Sequence, residues 1–188
     1  MRQPVVVALA CALSAALAAP AAAAPPTGFQ DKVQIAGPTR LDWKFVASAF
    51  GANAAKLPAD YDSRQQHYQL YVPRDYDAAR TWPLVVFISP GDGPLGWRSW
   101  QKPCERAGAL FCAPYAAGNG CPAGQRVRIV LDMLDDVRRH YRIDPDQTYL
   151  TGFSGGGRMA CTIAFALPEY FGGVAPVCGT NPQGQRRL

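Results

Sequence analysis

The stretch Tyr149-Leu150-Thr151-Gly152-Phe153-Ser154-Gly155-Gly156-Gly157 decides how the rest of the chain is read. An apolar run, Thr148 to Leu150, leads into Gly-x-Ser-x-Gly, and a helical pattern from Arg158 to Leu167 follows at once. Strand, sharp turn and helix, in that order, make a nucleophile elbow, which lifts a serine hydroxyl above the edge of a parallel sheet. Glycines flank the serine because the turn is strained and the first helical turn packs close to the strand. The five-residue motif alone would fit any glycine-rich loop; the strand and helix patterns on either side set this one apart. Ser154 is the candidate nucleophile. Gly155, directly after it, is the first candidate oxyanion donor.

Upstream, the apolar positions Val127, Val130, Leu131, Leu134, Val137 and Tyr141 recur at three and four, which predicts an amphipathic helix over Gln125 to Tyr141. Arg138-Arg139-His140 puts positive charge in its last turn, where it suits the helix dipole. A polar turn, Arg142 to Gln147, joins it to the elbow. Before the helix come a buried strand, Ala109 to Ala113, and a Gly/Asn loop, Tyr115 to Pro122. Leu84 to Ile88 is a continuous apolar, β-branched run, as expected of a strand covered on both faces. Gly91-Asp92-Gly93-Pro94 breaks it, and Trp97 to Ala107 predicts a short helix. Gln66 to Val72 alternates and stops at Pro73, the pattern of a strand with one solvated face. After the elbow helix, Tyr170 to Gly173 turns the chain into a last strand, Val174 to Cys178. Strands alternating with helices predict an α/β fold, with a mostly parallel sheet, helices on both faces and right-handed crossovers.

The chain has 188 residues, 48% hydrophobic and 18% charged, which suits one globular domain. Its net charge of +5 is scattered, with no basic stripe interleaved with aromatics, which argues against a nucleic-acid partner. Met1-Arg2, the apolar run Val5 to Ala19 and the small residues Ala21 to Ala24 read as a signal peptide, too short for a stable membrane span. Residues 25–40 read as a Pro/Gly-rich linker or arm, Leu41 to Lys56 as an irregular segment, and 41–188 as a partial catalytic domain. Export would place the protein outside the cell or in the periplasm. There Cys104, Cys112, Cys121, Cys161 and Cys178 would form one or two disulfides of undetermined pairing. The alternative, buried thiols packed as small hydrophobes, suits Cys112 and Cys178. No CxxC pair and only two histidines leave no metal site to propose, and no cofactor is implied.

Three segments carry a family resemblance. Ile143-Asp144-Pro145-Asp146, the elbow, and Leu167-Pro168-Glu169-Tyr170-Phe171 with Val174-Ala175-Pro176-Val177 resemble the α/β-hydrolase esterases of the polyhydroxybutyrate depolymerase type. That group includes feruloyl and acetyl-xylan esterases. The resemblance covers Tyr68 to Asn181 and implies an α/β-hydrolase fold and serine-dependent cleavage of an ester substrate, small or polymeric.

Two departures from the family stand out. Ser89-Pro90 replaces the His-Gly pair that begins the oxyanion loop in relatives. Pro90 has no N–H, so Gly91 becomes the second candidate donor, and Asp92 is assigned to a turn. The triad order Ser, acid, His is also incomplete within these residues. His140 ends a helix on the far side of the sheet, and His67 starts a strand near its outer edge. The chain therefore reads as the N-terminal part of a longer hydrolase, nearly inactive by itself. Trp97, Tyr115 and Asn119 are the candidate pocket residues. A serine peptidase of the prolyl-oligopeptidase type and a non-catalytic binding protein on the same fold are the competing readings.

Overall fold

The computed structural model describes residues 25–50 and 57–179. The segment read as the signal peptide lies outside the described residues, as do residues 51–56 and 180–188.

Six strands form one sheet in the order β1-β2-β4-β3-β5-β6. They are β1 Gly28–Gln34, β2 His67–Val72, β3 Trp82–Ile88, β4 Leu110–Pro114, β5 Ile143–Phe153 and β6 Gly173–Val177. β1, β2 and β4 pair antiparallel, whereas β4, β3, β5 and β6 run parallel. Helices α1 Trp43–Phe50, α2 Trp97–Ala107, α3 Ala123–His140 and α4 Gly155–Ala166 connect or flank them. The sheet is mostly parallel and carries helices on both faces, as the alternating pattern predicts.

The core has two parts because the sheet has two faces. Leu84, Val86, Ile88 and Leu150 pack with α1, α3 and α4 on one face. Val85, Phe87, Phe111 and Ala113 meet α2 on the other. Their alternation along β3 follows the two-residue repeat of a strand.

Three stretches are more regular than their sequence pattern. Residues 25–40, read as a linker or arm, include β1, which pairs with β2 in the sheet. The following stretch is tied down by three aspartates of α3. Ala36 N–H donates to Asp136 (2.9 Å), Thr39 N–H to Asp132 (2.7 Å) and Arg40 N–H to Asp135 (2.9 Å). The irregular segment after Leu41 contains α1, whose Val46 is buried and whose first turn is capped by Asp42, accepting from Lys44 N–H at 2.9 Å. The polar turn at 142–147 is drawn into the start of β5. Ile143 pairs with Trp82, and the register then breaks before Thr148 meets Leu84.

The disulfide expectation gives way as well: all five described cysteines are free thiols. Cys104, Cys112 and Cys161 are buried, so they act as small apolar side chains, whereas Cys178 is exposed. Burial pushes the Cys104 thiol up to about 12 and raises Cys112 further. No described helix is long and apolar enough to cross a membrane.

Candidate active site

β4 and β5 lie on opposite sides of β3, so the sheet reverses its winding there. In open α/β sheets that switch point, at the carboxyl ends of the strands, is where ligands bind. Ser154 ends β5, the Ser89–Gly96 loop leaves β3, and Asn119 lies in the loop leaving β4. The three segments therefore meet at one edge.

Ser154 has φ +52° and ψ −119°, a conformation that non-glycine residues rarely adopt and that costs of order 1–3 kcal/mol. It is held there by its N–H, which donates to the Val177 carbonyl (2.8 Å). A serine preceding a helix ordinarily caps it by accepting from the second or third amide. Ser154 makes no such bond, and its hydroxyl has no partner among the described residues. The turn needs Gly156 because a Cβ there would strike the Ile88 carbonyl oxygen of β3. Gly155, first in α4, carries an N–H with no intrahelical acceptor.

The β3 and β4 loops are laced together beside this turn. Asn119 N–H donates to the Pro90 carbonyl (2.8 Å) and Ala116 N–H to the Asp92 carbonyl (2.8 Å). The Asp92 carboxylate accepts from Gly118 N–H (3.2 Å), which is the turn role expected of it. The Gly91 N–H is occupied, donating to Ser89 Oγ at 3.1 Å.

Behind both loops lies Arg126, 5% exposed. It donates to the Ser89 carbonyl (2.8 Å) and to Asn119 Oδ1 (3.2 Å), and its Nε has no partner. Desolvation by burial lowers its pKa below the ordinary arginine value. Sequence reading passed over Arg126. Its signal was a charge at positions three, four and seven before Ile129, Val130 and Met133, all of which are buried.

The sequence-derived pocket residues divide. Asn119 sits against Gly155, its amide where a Gly155 side chain would be. Trp97 is elsewhere, stacked on Tyr71 (4.6 Å between ring centroids) and Phe29 (5.3 Å) over β1 and β2. Tyr115 points away too, its hydroxyl donating to Asp31 at 2.6 Å on the β1 side. That hydrogen bond raises the Tyr115 pKa and lowers that of Asp31.

Neither histidine reaches Ser154. The ring of His140, at the end of α3, lies 2.8 Å from the Asp136 carbonyl, beside the start of β5 rather than its end. His67 is on the correct edge, since its carbonyl accepts from Tyr115 N–H just past β4. It stands on β2, however, three strand positions from β5, or about 14 Å at the usual strand spacing.

This strand order, with a strained serine between β5 and α4, is that of the α/β-hydrolase fold. Its sequence relatives are ester hydrolases. The chain is 28% identical over 99 residues to a poly(3-hydroxybutyrate) depolymerase of Ralstonia pickettii, covering 45% of this chain and 20% of that one. It is 26% identical over 160 residues to the protein named “Probable feruloyl esterase C” of Aspergillus niger, covering 75% and 59% respectively. Among solved structures, a thermostable esterase matches with a TM-score of 0.52 at 25% identity, over 62% of this chain and 38% of that one. No protein-family model matches the chain. The chain thus has the α/β-hydrolase fold and is similar to depolymerases and feruloyl esterases, and it spans less than two thirds of the length of the curated relatives it matches.

Proposed function

We propose that the protein is an exported carboxylic-ester hydrolase that works through an acyl-enzyme on Ser154. The observation that carries this reading is the Ser154 hydroxyl, uncapped and held at φ +52° at the switch-point edge. In the first step the Oγ–carbonyl carbon bond forms, the C=O electron pair moves onto oxygen, and the hydroxyl proton passes to a base. Collapse of that intermediate expels the alcohol, and water then releases the acid by the same route. The Gly155 N–H faces the developing oxyanion; removing one such donor from a hole typically costs about 2.7–4 kcal/mol.

A free serine is a poor nucleophile without a base, and His67 and His140 stand too far away to serve. The acid and base of the triad are therefore assigned to residues beyond those described, in line with the greater length of the relatives. This 188-residue chain alone would show only the residual catalysis that binding and an oxyanion hole retain without a triad. The apolar run Val5 to Ala19 is the support for export. The relatives make a hydroxyalkanoate or feruloyl ester, small or polymer-borne, the substrate class of choice.

The reading is tested with a fluorophosphonate probe, whose phosphorus stands in for the attacked carbonyl carbon. The wild-type chain is expected to be labelled and Ser154→Ala not. Equal labelling of the two would refute it.

A further inference from the structure

We propose that the side-chain NH2 of Asn119 is an oxyanion donor beside the Gly155 N–H, and that Arg126 is the positioning residue that turns it to that role. The inference rests on the reading of Ser154 as nucleophile.

The hole needs a second donor, and the backbone does not offer the expected one. Pro90 has no N–H, and the Gly91 N–H already donates to Ser89 Oγ at 3.1 Å. The Asn119 amide, by contrast, lies directly against Gly155, filling the space of the side chain that Gly155 lacks. It is thus next to the residue whose own N–H is the first donor. Asparagine side chains are among the groups that build such holes.

Chemistry fixes which way the amide faces. A guanidinium has donors and no acceptor, so the Asn119 atom 3.2 Å from Arg126 is its oxygen. With Oδ1 held, Nδ2 is the atom left for the substrate, and it makes no hydrogen bond to any described residue. Arg126 is well suited to hold it. The side chain is almost fully buried, and its other arm grips the Ser89 carbonyl (2.8 Å), where the oxyanion loop leaves β3. One guanidinium therefore sets the spacing between the loop and the amide. When the substrate carbonyl is attacked, Nδ2–H and Gly155 N–H would converge on the forming O⁻. No proton is transferred and no bond to Asn119 is made.

The test uses the full chain and its residual turnover of p-nitrophenyl acetate at saturating ester, measured above the buffer rate. Asn119→Leu is expected to lower kcat by roughly a hundredfold or more, with KM nearly unchanged. Asn119→Asp, which keeps the shape but cannot donate, should fall at least as far. Asn119→Asp keeps the acceptor for Arg126 and should melt near wild type, whereas Asn119→Leu leaves a buried donor unpaired and should melt lower, so kcat is compared below both transitions. Arg126→Met should lower kcat when Asn119 is present and add little in the Asn119→Leu background. A purely structural role would give the same loss in both, and equal losses would overturn the positioning role. If Arg126→Met does not fold, Arg126→Lys enters the same cycle. Wild-type turnover above the buffer rate, with Asn119→Leu as fast as wild type, would overturn the donor and leave Ser154 standing. Turnover no faster than buffer would overturn the oxyanion hole, and the absence of a fluorophosphonate adduct on Ser154 would overturn the nucleophile.

Discussion

The two ends of α3 differ in how completely their polar groups are satisfied. Toward its C-terminal half, Asp132, Asp135 and Asp136 form a closed network. Fully buried Asp132 alone accepts from Thr39 N–H, Arg128 Nε, the Tyr61 hydroxyl and the Ser63 hydroxyl. Asp136 accepts from Ala36 N–H and the Tyr68 hydroxyl. Burial beside these carboxylates raises both tyrosine pKa values well above normal. At the N-terminal end, around Ser154, groups are left open: the Ser154 hydroxyl, the Asn119 NH2 and Arg126 Nε, with Phe153 and Val177 about half exposed nearby. A closed network fixes chain; open donors beside a strained serine are what a reacting group would engage.

The sharpest way to break this contrast is to empty the closed end. Asp132→Ala strips one partner from a buried ion pair and leaves several buried donors unpaired, which typically costs about 3–5 kcal/mol. Urea unfolding should report a loss of that size. A loss under about 1 kcal/mol would mean the network is no more than a surface one.

At the open end, Gly156→Ala places a methyl against the Ile88 carbonyl oxygen. Overpacking of this kind costs about 1–3 kcal/mol. Because it shifts α4 under Ser154, labelling by fluorophosphonate should fall further than stability does. Unchanged labelling would show that the turn tolerates displacement.

The smallest effect is expected from pH. Burial raises the Asp135 carboxyl, but hydrogen bonds and charge from Arg40 and Arg139 outweigh it, leaving the pKa below the ordinary 3.8. A lowered carboxyl pKa gives stability that is present above the unfolded-state value and lost as pH falls through the folded-state value. Wild type should exceed Asp135→Asn in urea midpoint at pH 6, and the gap should narrow as pH falls below the ordinary 3.8. A gap that does not change with pH would assign the effect to shape rather than charge.

The same contrast explains what the sequence made legible. Strands β2 to β6 and helices α2 to α4 have clear periods and an apolar face, so their places follow from pattern. β1, GFQDKVQ, is an edge strand with an exposed Phe29 and two charges. It is fixed by pairing with β2 and by aspartates about a hundred residues further along the chain, which no local window contains. Ser154, Gly155, Gly91 and Asn119 could be brought to one edge by reading which loops follow which strands. Direction along that edge was not legible. Tyr115 belongs to the same loop as Asn119, yet it leans toward Asp31, while Trp97 is drawn into the aromatic stack on β1 and β2. The cysteines misled because compartment suggests disulfides, whereas burial at Cys104, Cys112 and Cys161 is decided by packing.

The central claim is that Ser154 is built to attack. Its most direct test is to treat the chain with a fluorophosphonate at pH 9, where hydroxide can take the serine proton, and to locate the adduct by peptide mass spectrometry. The account predicts a slow but site-specific adduct on Ser154, formed ahead of every other serine and absent in Ser154→Ala. Adducts spread over the chain's serines at comparable rates, or none on Ser154, would contradict it.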